Sequence, residues 1–149
     1  MAEKIGEIFL RKKLVNTDQL ERALQEQIQT GEFLGEILIR LGYANEENLL
    51  KVLAEQFGTR FVSLNDIRVN PQVLKMVPKR LVTEHKFLPI EMRSGVLLIA
   101  VSNPLDVWPI SVLQEQLKLM EVQIVLAMKN DILRAINKYY APETGVLNG

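Results

Sequence analysis

The chain has 149 residues, of which 48% are hydrophobic and 24% charged, the composition of a soluble globular protein with room for one domain or two small ones. Eighteen basic side chains balance eighteen acidic ones, so no global field gathers DNA or RNA phosphates, and a purely electrostatic nucleic-acid binder is disfavoured. With no cysteine there is neither a disulfide framework nor a thiolate metal site, and the longest apolar run is only the six residues Val96 to Val101, so neither signal peptide nor membrane span is expected.

In chain order, the first elements are short amphipathic helices. Ile5, Ile8 and Phe9 take the i, i+3, i+4 spacing of one apolar helical face, as do Leu20, Ala23 and Leu24. Asn16 precedes the second of these helices, where its side chain can accept from an orphan backbone N–H. Gly31 marks a joint, and the pattern then recurs. Leu34, Ile37 and Leu38 form one face, Asn45 supplies a cap, Leu49, Val52 and Leu53 form a second face, and Gly42 and Gly58 supply stops.

From residue 58 the pattern changes. Phe61 to Leu64 reads as a short strand, Pro71 after Asn70 opens a brief helix, and Pro78 starts another that runs through about His85. FLPIEMR, the turn Ser94-Gly95 and VLLIAV form the strongest hairpin signal in the chain. SNPLD follows as a loop, then a helix from about Val107 to Leu119, a strand EVQIVLA and a closing helix from about Asn130 to Tyr140, before Pro142 and a tail with two glycines. The expected class is α+β. An N-terminal four-helix subdomain over residues 1–57 precedes a small α/β sandwich over 58–141, with helices on one face of a three- to four-stranded antiparallel or mixed sheet, and 142–149 forms a flexible tail.

The recurrence in the first segment is a tandem repeat. Residues 33–56, FLGEILIRLGYANEENLLKVLAEQ, repeat residues 4–27, KIGEIFLRKKLVNTDQLERALQEQ, without a gap, and nine of the 24 positions are identical. The identities are Gly6/Gly35, Glu7/Glu36, Ile8/Ile37, Arg11/Arg40, Asn16/Asn45, Leu20/Leu49, Leu24/Leu53, Glu26/Glu55 and Gln27/Gln56. Two helical hairpins would share leucine spacing by chance, but not an ungapped Gly-to-Gln register as well.

The residues argue against catalysis. No glycine is followed by lysine, so there is no phosphate-binding loop of the ATPase kind. The single histidine, His85, has no cysteine or second histidine with which to share a metal and no partners for a triad. Glu46 and Glu47 sit in a first helical turn, where they favour the positive end of the dipole. Asp106 is explained by an Asx turn or helix cap. No cofactor is expected. Binding is the better use of a duplication, since two similar surfaces in tandem make a pseudo-symmetric cleft for a ligand with two equivalent halves. Gly6 and Gly35 can bring backbone N–H groups close to a phosphate, or can serve tight helix crossing; Gln27 and Gln56 can read a base edge, or can cap helix ends.

The doubled 24-residue pattern with its spacer IQTGE, continued by FGTRFVSL, PQVLKMVPKRLVTEHKFLPI and GVLLIAVSNPLD, resembles the N-terminal domain of the type II secretion and type IV pilus assembly ATPases, the GspE and PilB group. The resemblance covers nearly the whole chain. It implies a cytoplasmic, non-catalytic regulatory module, made of a helical subdomain followed by an α/β subdomain and preceding a hexameric motor. In the MshE branch of that family both copies bind cyclic di-GMP, one guanylate half per copy.

Position by position, Gly6, Leu10, Leu20, Leu24, Gln27, Leu34, Gly35, Leu38, Ile39, Leu49, Leu53 and Gln56 match the family pattern. Lys4 and Phe33 stand where the family has the arginine that opens each copy, and Ile5 replaces the first leucine. The ligand-facing set that the resemblance implies is Lys4, Ile5, Gly6, Leu10, Arg11, Leu24 and Gln27 in the first copy. In the second it is Phe33, Leu34, Gly35, Leu38, Ile39, Arg40, Leu53 and Gln56. The implied partners are cyclic di-GMP, the ATPase motor domain and the cytoplasmic domain of a platform protein. A docking adaptor for that platform protein, binding no nucleotide, is the other reading of an exposed helical face.

Overall fold

The computed structural model describes residues 4–118 and 121–140. The chain divides into two compact units, Met1–Arg60 and Phe61–Gly149.

In the first unit, α1 (Ile5–Arg11), α2 (Thr17–Thr30), α3 (Leu34–Arg40) and α4 (Glu46–Gln56) follow in order. The repeat reaches down to the caps. Asn16 Oδ1 accepts from the Gln19 N–H at 2.8 Å, and Asn45 Oδ1 accepts from the Asn48 N–H at 2.8 Å, so each long helix begins on the same satisfied donor. The loop after α1 and the loop after α3 both turn through a residue with positive φ, Lys13 at 59° and Gly42 at 79°. Gly42 adopts that conformation freely, whereas Lys13 does so against its own Cβ. The core of the unit is Ile8, Phe9, Val15, Ala23, Leu34, Ile37, Leu38 and Val52, drawn from all four helices and the α1–α2 loop. At about 1.5–3 kcal/mol for each large side chain buried, this cluster is what makes four short helices hold together, since helices of seven residues are marginal alone.

The second unit is built on a hairpin. β1 (Leu88–Arg93) pairs antiparallel with β2 (Val96–Val101), and Ser94 and Gly95 both have positive φ, as a tight two-residue hairpin turn requires. β2 then pairs parallel with β3 (Glu121–Leu126) in the register Val96 with Glu121 through Val101 with Leu126. A parallel pair needs a crossover, and α7 (Trp108–Leu117) supplies it. The sheet has three strands in the order β1-β2-β3 and is mixed. Around it lie α5 (Pro71–Met76) and α6 (Lys79–His85) before the hairpin, and α8 (Lys129–Tyr139) after β3.

One expectation is corrected. Phe61 to Leu64 is not a strand. Phe61 makes a single bridge to Leu126, and the Val62 N–H donates to the Leu126 carbonyl at 2.8 Å. The chain then tightens into a 3-10 turn at Leu64–Asp66, which ends the pairing after one step. Ile99, Ala100 and Val101 are buried in succession, and because successive strand residues point to opposite faces, this half of β2 is covered on both. The predicted helix end at Leu119 and the segment from Pro142 onward lie outside the described residues. Among the described residues, no helix is long and apolar enough to cross a membrane.

Candidate functional site

The two copies do not stack one after the other. α1 packs on α4, and α2 packs on α3, so the first helix of each copy lies against the second helix of the other. An operation that adds 29 to each residue of the first copy and subtracts 29 from each residue of the second carries one pairing onto the other. The surface ion pairs obey it. Arg40 Nη2 lies 3.0 Å from Glu26 Oε1 and 2.8 Å from Glu32 Oε1, and its counterpart Arg11 pairs with Glu55, the counterpart of Glu26. Lys12 Nζ adds a second cation to Glu55 at 3.0 Å. This reciprocity is the mark of an isologous, two-fold interface, here folded into one chain.

The charges register the same contacts. Glu26 and then Glu32, by hydrogen bonding, raise the Arg40 pKa above its ordinary value. Lys12 and then Arg11 lower the Glu55 pKa below that of a free glutamate.

The repeated glycines are explained by packing. A Cβ on Gly35 would stand 2.4 Å from Leu49 Cδ1, and one on Gly6 would stand 3.1 Å from Leu20 Cδ1 and 3.2 Å from Leu34 Cδ2. Leu20 and Leu49 are themselves repeat counterparts, so the same glycine–leucine close approach is made twice. Both glycines are buried.

Of the remaining positions singled out in the sequence, Lys4, Arg11, Leu24, Phe33, Ile39 and Arg40 are exposed. Ile5, Leu10, Gln27, Leu53 and Gln56 are half-buried, and Leu34 and Leu38 belong to the core. Gln27 Nε2 donates to the Glu32 carbonyl at 3.1 Å, tying the end of α2 to the segment that enters α3 just before Phe33. Arg11 and Arg40, one turn further along, are engaged by carboxylates.

Two residues outside the singled-out set are exposed large hydrophobics of the same unit, Ile28 at 85% and Phe57 at 44%. They are counterparts, each directly following the repeated glutamine. Their signal in the sequence is the i, i+4 step from Leu24 to Ile28 and from Leu53 to Phe57, which extends each apolar face one position beyond the core.

The second unit carries a cavity of about 450 Å³ beyond the end of β2, lined among others by His85, Lys86, Asn103, Asp106, Trp108 and Lys129. Its carboxamide and carboxylate serve the loop. Asn103 Oδ1 accepts from the Leu105 N–H at 3.0 Å, and Asp106 Oδ1 accepts from the Trp108 N–H at 3.1 Å, the Asx-turn chemistry expected of Asp106. Among the described residues, no group of three or more His, Cys, Asp or Glu side chains could hold a metal ion.

Comparison with known proteins gives this geometry a family. Residues 57–146 match the model of the MshEN domain. The chain belongs to the MshEN domain family. The match falls on the second unit and the last residues of the helical one, and likeness to solved structures extends it over the rest of the helical unit. A structure of MshE with cdg covers 93% of this chain and 99% of its own at 29% identity and a TM-score of 0.80. The N-terminal domain of XpsE shares the fold, with 21% identity, coverage of 93% of this chain and 98% of its own, and a TM-score of 0.62.

Two curated relatives are type IV pilus assembly ATPases named PilB. That of Myxococcus xanthus is 30% identical over 144 residues, and that of Thermus thermophilus is 27% identical over 146. The matches take in 95% and 97% of this chain but only 25% and 16% of the relatives. The MshEN chain thus corresponds to a fraction of each pilus ATPase.

Proposed function

We propose that this MshEN chain is a non-catalytic regulatory module that binds cyclic di-GMP between its two repeats and passes the bound state to a secretion or pilus ATPase motor in the cytoplasm. The observation that carries the reading is the end-to-end likeness to MshE with cdg, over 93% of this chain and 99% of that one. The two-fold arrangement of the helical unit supports it, because a ligand made of two identical guanylate halves meets two equivalent surfaces.

In this reading Gln27 and Gln56, half-buried and in counterpart positions, donate to and accept from guanine edges. Leu10, Leu24, Ile39 and Leu53 supply apolar contact, and the buried Gly6, Leu34, Gly35 and Leu38 form the floor beneath. Ile5 packs against that core at the start of α1. Arg11 and Arg40 hold each short helix to its long partner.

Lys4 keeps a charge for phosphate, but without the planar fork of arginine, and Phe33 brings none. The loss of one charge-assisted hydrogen bond, about 1.5–3 kcal/mol, corresponds to affinity about ten- to a hundredfold weaker than a site with arginine in both copies. For binding to act on a motor, the ligand must favour one arrangement of the protein over another, and by no more than its differential affinity for the two.

Calorimetric titration with cyclic di-GMP tests the reading. Heat of binding to the wild type that is lost in Gln56→Ala, with the fold intact by circular dichroism, supports it. Silence at millimolar ligand overturns it, and leaves capture of a platform protein's cytoplasmic domain to be measured instead.

A further inference from the structure

In the second unit, α5 and α6 bury one side and display the other. Val73, Val77 and Leu81, at steps of four residues, are all buried, while Gln72, Lys75, Met76, Lys79, Arg80 and Thr83 between and beside them are exposed. From Ile67 to Thr83 the chain carries four basic residues, Arg68, Lys75, Lys79 and Arg80, and no aspartate or glutamate. The whole chain is balanced in charge, so this face is a local concentration of positive charge.

Internal stability does not account for it. Arg11, Arg40 and Lys51 of the helical unit and Arg134 of α8 each pair with a carboxylate, whereas among the described residues none pairs with Lys75, Lys79 or Arg80. Lys79 and Arg80 also open α6, whose first turn holds no acidic residue, and the positive end of a helix dipole disfavours cations there.

The basic face leads into the cavity beyond β2. Arg80 and Glu84 lie four residues apart on one face of α6, and Glu84, with His85 and Lys86, lines that cavity of about 450 Å³. Trp108 forms part of another wall and is 65% exposed, and Leu105 and Val107 beside it are exposed as well. Asp106, in the same loop, has its carboxylate engaged by the Trp108 N–H. A track of cations therefore ends at a hollow with an open indole, of a size that takes a bulky side chain.

We propose that the α5–α6 face and the adjoining cavity form a docking groove for a segment of a partner protein that carries carboxylates next to an apolar anchor side chain. The carboxylates meet Lys75, Lys79 and Arg80, the last able to bind one in bidentate fashion, and the anchor enters the hollow against Trp108. Charge complementarity selects an acidic partner. The shape selects protein over lipid, because the apolar side of α5 and α6 is held in the core and cannot insert into a bilayer as a surface-binding helix does. Three cations alone also fall short of the roughly four to eight of a lipid-binding polybasic cluster.

Fluorescence anisotropy on the full chain, with a dye-labelled synthetic peptide in which glutamates flank one leucine, tests the groove. The acidic peptide binds, more weakly as salt rises, and the same peptide with glutamines in place of the glutamates binds about tenfold more weakly or less. Lys79→Glu combined with Arg80→Glu lowers affinity for the acidic peptide by about tenfold or more, as does Trp108→Ala. Arg93→Glu, the same reversal of charge at the hairpin end of β1, changes it by less than about twofold.

Equal affinity for the acidic and glutamine peptides, an equal loss from Arg93→Glu, or no binding at millimolar peptide overturns the proposal. So does co-sedimentation with vesicles of phosphatidylcholine and phosphatidylglycerol that the Lys79 and Arg80 reversals abolish while peptide binding is untouched, which makes the face a membrane contact. Matching thermal midpoints for wild type and the double reversal exclude unfolding, and the comparison of the two peptides on the wild type stands whether or not Trp108→Ala folds.

Discussion

Gly35→Ala tests whether the repeat is held together by the glycine–leucine approach. The new methyl group would meet three atoms of one side chain, Leu49 Cδ1 at 2.4 Å, Cδ2 at 3.1 Å and Cγ at 3.3 Å. The overlap is with Cδ1, while Cδ2 and Cγ are only tight, so Leu49 must change rotamer to admit the methyl group, and its neighbours in the packed core must give with it. Overpacking of this kind costs about 1–3 kcal/mol, offset by about 1 kcal/mol from the better helix propensity of alanine, which leaves a net loss of up to about 2 kcal/mol. Gly6→Ala is the internal control. Its methyl group meets only side-chain ends, none closer than 3.1 Å, so crowding and propensity nearly cancel and the variant is within about 0.5 kcal/mol of wild type. Urea denaturation followed by circular dichroism reads both, and Leu49→Ala in the Gly35→Ala background recovers part of the loss as a coupling energy. The reasoning is refuted if Gly35→Ala is as stable as Gly6→Ala.

Three further predictions concern stability. Glu55 is held below its ordinary pKa by Lys12 and Arg11, so its contribution is present above the unfolded carboxylate pKa and is lost as pH falls through the folded value; Glu55→Gln abolishes that part of the acid-side loss in a denaturation series across roughly pH 3 to 6. Lys13→Gly relieves a side chain held at φ 59° where the second copy already has Gly42, and raises stability by up to about 1 kcal/mol, read as a higher thermal midpoint. Burial pushes the Tyr140 phenol up to about 12, and its hydroxyl donates to the Val77 carbonyl at 3.2 Å. The neutral form is the stabilised one, so this contribution is complete below about pH 10, the pKa of a free tyrosine, and disappears as pH rises through about 12. Tyr140→Phe costs about 1 kcal/mol at neutral pH and flattens the alkaline limb.

Most of the secondary structure was legible because local and global signals agree in this chain. The Asn caps, the leucine spacing and the hairpin around Ser94-Gly95 each specify their element within a few residues. Phe61 to Leu64 misled because its β-branched and aromatic residues satisfy strand propensity, whereas pairing depends on whether the neighbouring chain continues beside it, and the 3-10 turn at Leu64–Asp66 removes it.

The candidate site was legible as a list and not as an arrangement. The duplication announces Gly6/Gly35 and Gln27/Gln56, but a linear repeat does not say that α1 packs on α4 as well as on its own α2. That exchange is set by long-range burial around Phe9 and Leu38, and it alone reveals that Arg11 and Arg40 answer to Glu55 and Glu26.

The central claim is that two exchanged copies make one site for a two-fold nucleotide. Equilibrium titration of the chain with cyclic di-GMP, with the stoichiometry determined, tests it most directly. The account predicts saturation at one ligand per chain, with affinity lowered in both Gln27→Ala and Gln56→Ala, because each copy contributes a half. Two ligands per chain, or an affinity that depends on one glutamine and ignores the other, would contradict it.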